Sequence, residues 1–176
     1  MAEWEDFISI VLPRDKVAEV KQLASQRNRK EETFGARTYD GVCESYEAHL
    51  MGAFGEMAAA IHFGVDVDRR IFDEHGDDGE DLLLPVYGVT QIKATSYHLY
   101  PWLRAEVCHD RPSIQTYMAA AVEKRYVHPE YEGDVEVKLI GWLPREKVIT
   151  RRPEVIRGPL SYVWKDWELN PIERVA

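Results

Sequence analysis

Apolar residues recur at helical spacing in some stretches of this chain and alternate in others. From Cys43 to Phe63, the positions Leu50, Phe54, Met57 and Ile61 fall three or four apart, which predicts a helix with a buried stripe. Gly64 supplies its stop. Pro13 opens a second helical pattern through Val17, Val20 and Leu23. The charged run Arg27 to Glu32 reads as a connector, and Thr33 to Asp40 has loop composition. Phe7 to Leu12 alternates weakly and fits a strand. Asp81 to Leu84 and Val89 to Ala94 read as two strands joined through Pro85-Val86-Tyr87-Gly88, a hairpin composition.

Farther along, Leu99 to Val107 and the alternating Val135 to Trp142 read as strands. Ile114 to Val122 fits either element, because its consecutive alanines suit a helix while its flanks suit a strand. Val65 to Asp73 is expected to hold a short strand and His75 to Glu80 a polar turn. Pro144 to Val148 begins a short helix or turn, and a tail rich in Arg, Pro and Trp wraps the body. This order predicts an α/β (α+β) chain with a mixed sheet flanked by helices. The 176 residues fit one domain, 1–176, with a core over 44–142 and terminal extensions packed on it.

Charge narrows the function. With 22 Lys+Arg against 31 Asp+Glu the net charge is −9, which disfavours a broad DNA- or membrane-coating surface but allows a local basic groove. Cys43 and Cys108 cannot build a four-ligand structural zinc site between them, nor a disulfide framework. A reducing cytoplasm is the expected compartment. The acidic start, Glu3, Glu5 and Asp6, does not suit a signal peptide, and no apolar stretch approaches a membrane span.

Three places carry candidate chemistry. Glu56 has Gly52, Ala53, Ala59 and Ala60 as its helical neighbours, all small and none cationic. Small neighbours let a helix approach another element closely. The carboxylate at such a contact is desolvated and needs a metal or a buried base beside it. Asp81 stands at the head of the apolar Leu82-Leu83-Leu84. In Gln91-Ile92-Lys93, the amide and the ammonium share one face of a strand while Ile92 faces the other. The hairpin sets Asp81 opposite Ile92, beside Gln91 and Lys93. A carboxylate, an amide oxygen and a backbone carbonyl are hard ligands suited to Mg²⁺. A neighbouring Lys stabilises charge on a phosphorus centre. The reaction class that follows is metal-assisted phosphodiester hydrolysis.

In this order, Glu56 on a helix, Asp81 opening a strand and Gln91-Ile92-Lys93 on the next resemble the PD-(D/E)XK nuclease superfamily. Gly52-Ala53-Phe54-Gly55-Glu56 is similar to the Gly-x-x-Gly-Glu opening of many phage and bacterial members. Gly79-Glu80-Asp81, Lys93-Ala94-Thr95 and Ile140-Gly141-Trp142 resemble family context as well. The match covers about Glu44 to Thr95, with weaker support to Trp142, and leaves out the first 40 residues. The resemblance implies a restriction-endonuclease-like core and Mg²⁺-dependent cleavage of DNA, with Mn²⁺ as a substitute. Asp81 would be the main metal ligand, Gln91 and the Ile92 carbonyl would complete the protein ligands, and Glu56 would help directly or through water. Lys93 would act on the nucleophilic water. The family usually has Glu or Asp where this chain has Gln91. Some restriction enzymes that cleave modified DNA resemble this variant. The loss of a charge also leaves open a catalytically inactive nuclease fold that binds nucleic acid or a protein partner.

Thr95, Ser96 and His98 follow the Lys and are candidates to line the substrate groove. Arg27, Arg29, Lys30, Lys124, Arg125, Arg151, Arg152 and Arg157 are candidate phosphate contacts, and Trp102, Trp142, Trp164 and Trp167 are candidates for base stacking or packing. The aromatic tail Tyr162 to Trp167 suits a homodimer surface. Neither a Gly-x-Ser-x-Gly elbow nor a phosphate loop is present, so serine-hydrolase chemistry and a nucleotide cofactor have no support.

Overall fold

In the computed structural model, which describes residues 7–34, 45–67, 81–96, 101–155 and 159–173, Pro13 separates a strand from a helix. Its missing N–H is harmless at a helix start, and its carbonyl accepts the Val17 amide at 3.0 Å. The strand is β1 (Ile8–Leu12) and the helix α1 (Arg14–Phe34). The expected connector Arg27 to Glu32 is instead part of α1. It contains no helix breaker. The strongest helical pattern forms α2 (Ser45–Phe63), which ends at Gly64, in the left-handed region at φ 66°. Leu50, Phe54 and Met57 are buried as the stripe predicts, whereas Ile61 is 43% exposed, beyond the reach of the sheet.

The hairpin forms as β2 (Leu82–Leu84) and β3 (Gly88–Ser96). Then come β4 (Leu103–Glu106), β5 (Thr116–Val122), β6 (Val135–Pro144), the single-turn α3 (Arg145–Val148), β7 (Glu154–Val155) and β8 (Leu160–Trp164). One mixed sheet has the order β1-β6-β5-β3-β2, with β3 and β5 parallel and its other pairs antiparallel. A second, antiparallel sheet has the order β4-β8-β7. The fold is thus mixed α/β. The N-terminal strand is an integral member of the main sheet rather than an appended piece. No helix among the described residues is long and apolar enough to cross a membrane.

The ambiguous alanine segment is β5, and every residue of it is buried. Two apolar clusters meet across it. Met118, Ala120 and Val122 join Ile92 and the residues of α1 and α2 on one side. Tyr117, Ala119 and Ala121 join Leu103, Ala105 and Trp164 on the other. Alanine's helix propensity loses to this double burial, where small side chains let both layers come close. Gly55 serves the same end. A Cβ there would meet Ile92 Cγ2 at 3.1 Å, Ala94 Cβ at 3.2 Å and Ala120 Cβ at 3.3 Å, so α2 lies almost directly on β3 and β5. Val65 to Val67 form no strand, and the rest of Val65 to Asp73, together with the turn His75 to Glu80, lies outside the described residues.

The tail wraps the body as expected. Trp142 and Asn170 exchange backbone hydrogen bonds of 3.0 Å each, and the tail crosses so near that a Cβ on Gly141 would sit 2.8 Å from the Asn170 carbonyl. Arg151 anchors the tail by donating Nη1 to Glu168 Oε2 at 3.0 Å and Nη2 to Oε1 at 2.6 Å, while its guanidinium lies 3.8 Å over the Trp164 ring. These bonds hold the Glu168 carboxyl down at about 2, from an ordinary 4.5. A lowered folded-state value contributes stability above the ordinary value that is lost as the pH falls through the folded one. Glu168→Gln should therefore be less stable than the parent near neutrality, and the gap should close between pH 4.5 and about 2, as read by urea unfolding at each pH. A gap that stays constant across that window would show that the pair does not carry the effect.

Candidate functional site

The site begins at the mouth of the β2–β3 hairpin. Leu82 pairs with Thr90 and Leu84 with Gly88, one position off the expected register. Asp81 therefore stands beside Gln91 rather than opposite Ile92. Its backbone amide donates to the Thr90 carbonyl at 3.2 Å, and its Oδ2 accepts the Ile92 N–H at 2.5 Å. The carboxylate thus substitutes for a backbone carbonyl at the end of the ladder. In a strand, the N–H and C=O of one residue face the same neighbour, so the Ile92 carbonyl is directed to this same edge.

Leu82 and Leu84 belong to the helix-side cluster, and so does Ile92. By alternation, Asp81, Gln91 and Lys93 take the opposite face. The parallel register confirms this for the strand residues: Gln91 aligns with Tyr117 and Lys93 with Ala119, both on the side of the second sheet. Gln91 is 2% exposed, and its Oε1 is buried without a hydrogen-bond partner. A buried, unpartnered amide oxygen costs free energy. A cation would satisfy it; Asp81 and the Ile92 carbonyl stand next to Gln91 in the strand register, and carboxylate, amide and carbonyl oxygens are the donor types that Mg²⁺ or Mn²⁺ takes. Thr95 shares the Lys93 face in part-buried surroundings, Ser96 is buried, and His98 lies outside the described residues.

Glu56 does not join this group. It is 5% exposed, as its small neighbours predict, but its counter-charge is a side chain of the chain itself. Arg27 of α1 grips it with both guanidinium arms, Nη1 to Oε1 at 2.7 Å and Nη2 to Oε2 at 2.9 Å. The pair sits between α1 and α2, and α2 covers the face of β3 that carries Ile92 and Ala94, not the face of Gln91 and Lys93. Of the two partners that sequence reasoning offered, a metal or a buried base, the structure supplies the base, Arg27.

On the Lys93 side, the structure adds residues that the sequence left without partners. Glu106 ends β4, and its Oε2 lies 2.8 Å from His109 Nδ1. The His109 hydrogen bond holds the Glu106 carboxyl below its ordinary range against the opposing effect of burial, with help from the Lys93 and Arg104 charges. The next residue, Asp110, receives Arg145 Nε at 2.7 Å, Arg145 Nη2 at 2.6 Å and the Tyr117 hydroxyl at 2.7 Å. Burial pushes the Asp110 carboxyl up, but these donors more than offset it, and it lies below the ordinary value. Burial and the adjacent Asp110 charge push the Tyr117 phenol well up. A spacing of three between Glu106 and His109 was a readable signal, but only for a turn, and the expected strand there ran on to Val107.

Several candidate phosphate contacts are engaged within the chain. Arg27 holds Glu56, Arg29 Nε donates to the Ser25 carbonyl at 3.3 Å, Arg125 pairs with Glu123 and Arg151 with Glu168. Trp164 is buried and Trp142 donates its indole N–H to the Pro171 carbonyl at 3.1 Å, so both serve packing, whereas Trp167 is 53% exposed. No protein-family model matches the chain, and no curated protein or solved structure gives a significant match.

Proposed function

We propose that the protein is a metal-dependent phosphodiesterase acting on DNA, an endonuclease of phage or bacterial DNA processing, with Asp81, Gln91, the Ile92 carbonyl and Lys93 as its working groups. The observation that carries this reading is the buried, unpartnered Gln91 Oε1 beside an acid and two residues from a lysine on the same face. When bound there, Mg²⁺ or Mn²⁺ supplies Lewis acidity and positive charge at the phosphodiester. Asp81 contributes the charged ligand oxygen, and its bond to the Ile92 amide fixes that oxygen in place. Gln91 contributes a neutral oxygen, so the ligand set carries one negative charge less than a pair of acids would, and binding of an ion is correspondingly weaker. Lys93 donates hydrogen bonds to the charge that develops on the phosphorus oxygens or to the attacking water. Glu56 has no part in the chemistry on this reading. With Arg27 it fixes α1 against α2, beneath the strand that carries the ligands.

The test is conversion of supercoiled plasmid by the full chain with Mg²⁺ or Mn²⁺ and with EDTA. Nicked or linear product that appears only with the divalent ion supports the proposal. Its absence with both ions would overturn it. One observation favours a second reading, a nuclease fold that binds nucleic acid without cutting. The acid expected on α2 is spoken for by Arg27, and the family's second strand acid is an amide here. A gel shift with no cleavage would select that reading.

A further inference from the structure

We propose that Glu106, Cys108 and His109 form a binding site for a Zn²⁺-class transition-metal ion, separate from the oxygen-donor group around Asp81. These residues lie where β4 runs into the single-turn 3-10 helix Val107–His109. That turn brings a carboxylate oxygen, a thiol sulfur and an imidazole nitrogen to within 4.8 Å of one another. Tetrahedral Zn²⁺ bonds of about 2.0–2.3 Å place its ligand atoms about 3.5 Å apart, so closing on an ion takes movements on the order of an ångström. The ion would take the place of the hydrogen that now joins Glu106 to His109.

The donor set decides which ion. A thiolate with an imidazole selects Zn²⁺ or Co²⁺ over Mg²⁺, which prefers oxygen alone. The Lys93 and Arg104 charges act on Glu106 and oppose a cation held by the carboxylate only, which makes the sulfur ligand necessary. Cys108 is free of any disulfide, and both Cys108 and His109 are exposed, so an ion can enter from solvent. The supporting turn is already fixed. Asp110, immediately after His109, is clamped by Arg145 and Tyr117, and its amide donates to the Val107 carbonyl at 3.3 Å. Arg111 Nη1 donates to the Cys108 carbonyl at 2.7 Å. Ligands close in sequence on a pre-set turn lose little chain entropy on binding. Three protein ligands leave one tetrahedral position open for water or an anionic ligand.

The experiment uses the full chain, stripped with a chelator, dialysed and titrated with Co²⁺ as the spectroscopic probe. One equivalent should produce thiolate-to-cobalt charge-transfer absorption, and Zn²⁺ should displace it. Cys108→Ser should abolish the band, and His109→Ala should weaken Co²⁺ binding by about tenfold or more. Circular dichroism of both variants checks that they fold; both substitutions are at exposed positions. Asp81→Ala should leave the band in place, which keeps this site distinct from the one proposed for hydrolysis. A titration without charge-transfer absorption overturns the proposal. So does a band that survives Cys108→Ser, because the thiolate would then belong to Cys43.

Discussion

Asp81→Ala and Lys93→Ala should each lower metal-dependent DNA cleavage by about a hundredfold or more, the scale on which loss of one preorganised electrostatic group acts. Asp81 is the only acid that the β2–β3 register sets beside Gln91 among the described residues, so its removal takes away the charged part of the ligand set. Lys93 is part-buried on the second-sheet face and aligns with Ala119, and its charge acts on the half-buried Glu106. Its loss should leave the thermal midpoint nearly unchanged. Asp81 has a structural duty as well, since it accepts the Ile92 amide. Asp81→Asn retains an oxygen for that bond and removes the charge, so it separates ladder-ending from metal binding. Cleavage by Asp81→Asn or Lys93→Ala at the parent rate would remove the hydrolytic assignment.

Arg27→Ala should cost roughly 3–5 kcal/mol of unfolding free energy, the typical penalty for stripping one partner from a buried ion pair. The Glu56 side chain is 6% accessible and the Arg27 side chain 14%, so water cannot replace the lost guanidinium without opening the contact between α1 and α2. Domains of this kind hold only about 5–15 kcal/mol in total, and the variant should therefore sit near the limit of folding. The double variant Arg27→Ala with Glu56→Ala removes the orphaned charge and should recover part of the loss. Urea unfolding of the four proteins in this cycle gives the coupling directly. A loss below about 1 kcal/mol for Arg27→Ala would place the pair among exposed ion pairs, which contribute little.

How far the sequence discloses all this depends on the range of each interaction. The stripe Leu50, Phe54 and Met57, the stop at Gly64 and the turn at Gly88 are local patterns, and the structure realises them. Small residues around Glu56 correctly indicated a close contact and a buried acid. They held no information about the partner, which is 29 positions away on a stretch that reads as a charged connector. The alternation that sets Gln91 and Lys93 on one face was legible, but the face that α2 covers was not, because that depends on Gly55 meeting Ile92, Ala94 and Ala120. Likewise, Asp110 gives no local sign of Arg145, 35 residues later, and without that clamp the preceding turn carries no meaning.

The strand pairing has a consequence for how the molecule is made. Ile8 lies against Leu139 and Leu12 against Val135, so β1 finds its partner only in β6, the last strand of the main sheet along the chain. Closure of so long a loop precedes any reward from the contacts it forms, which predicts slow folding. Until then α2 is covered by β2, β3 and β5, without its contacts to β1 and β6. Apolar surface left open in that interval is prone to aggregation.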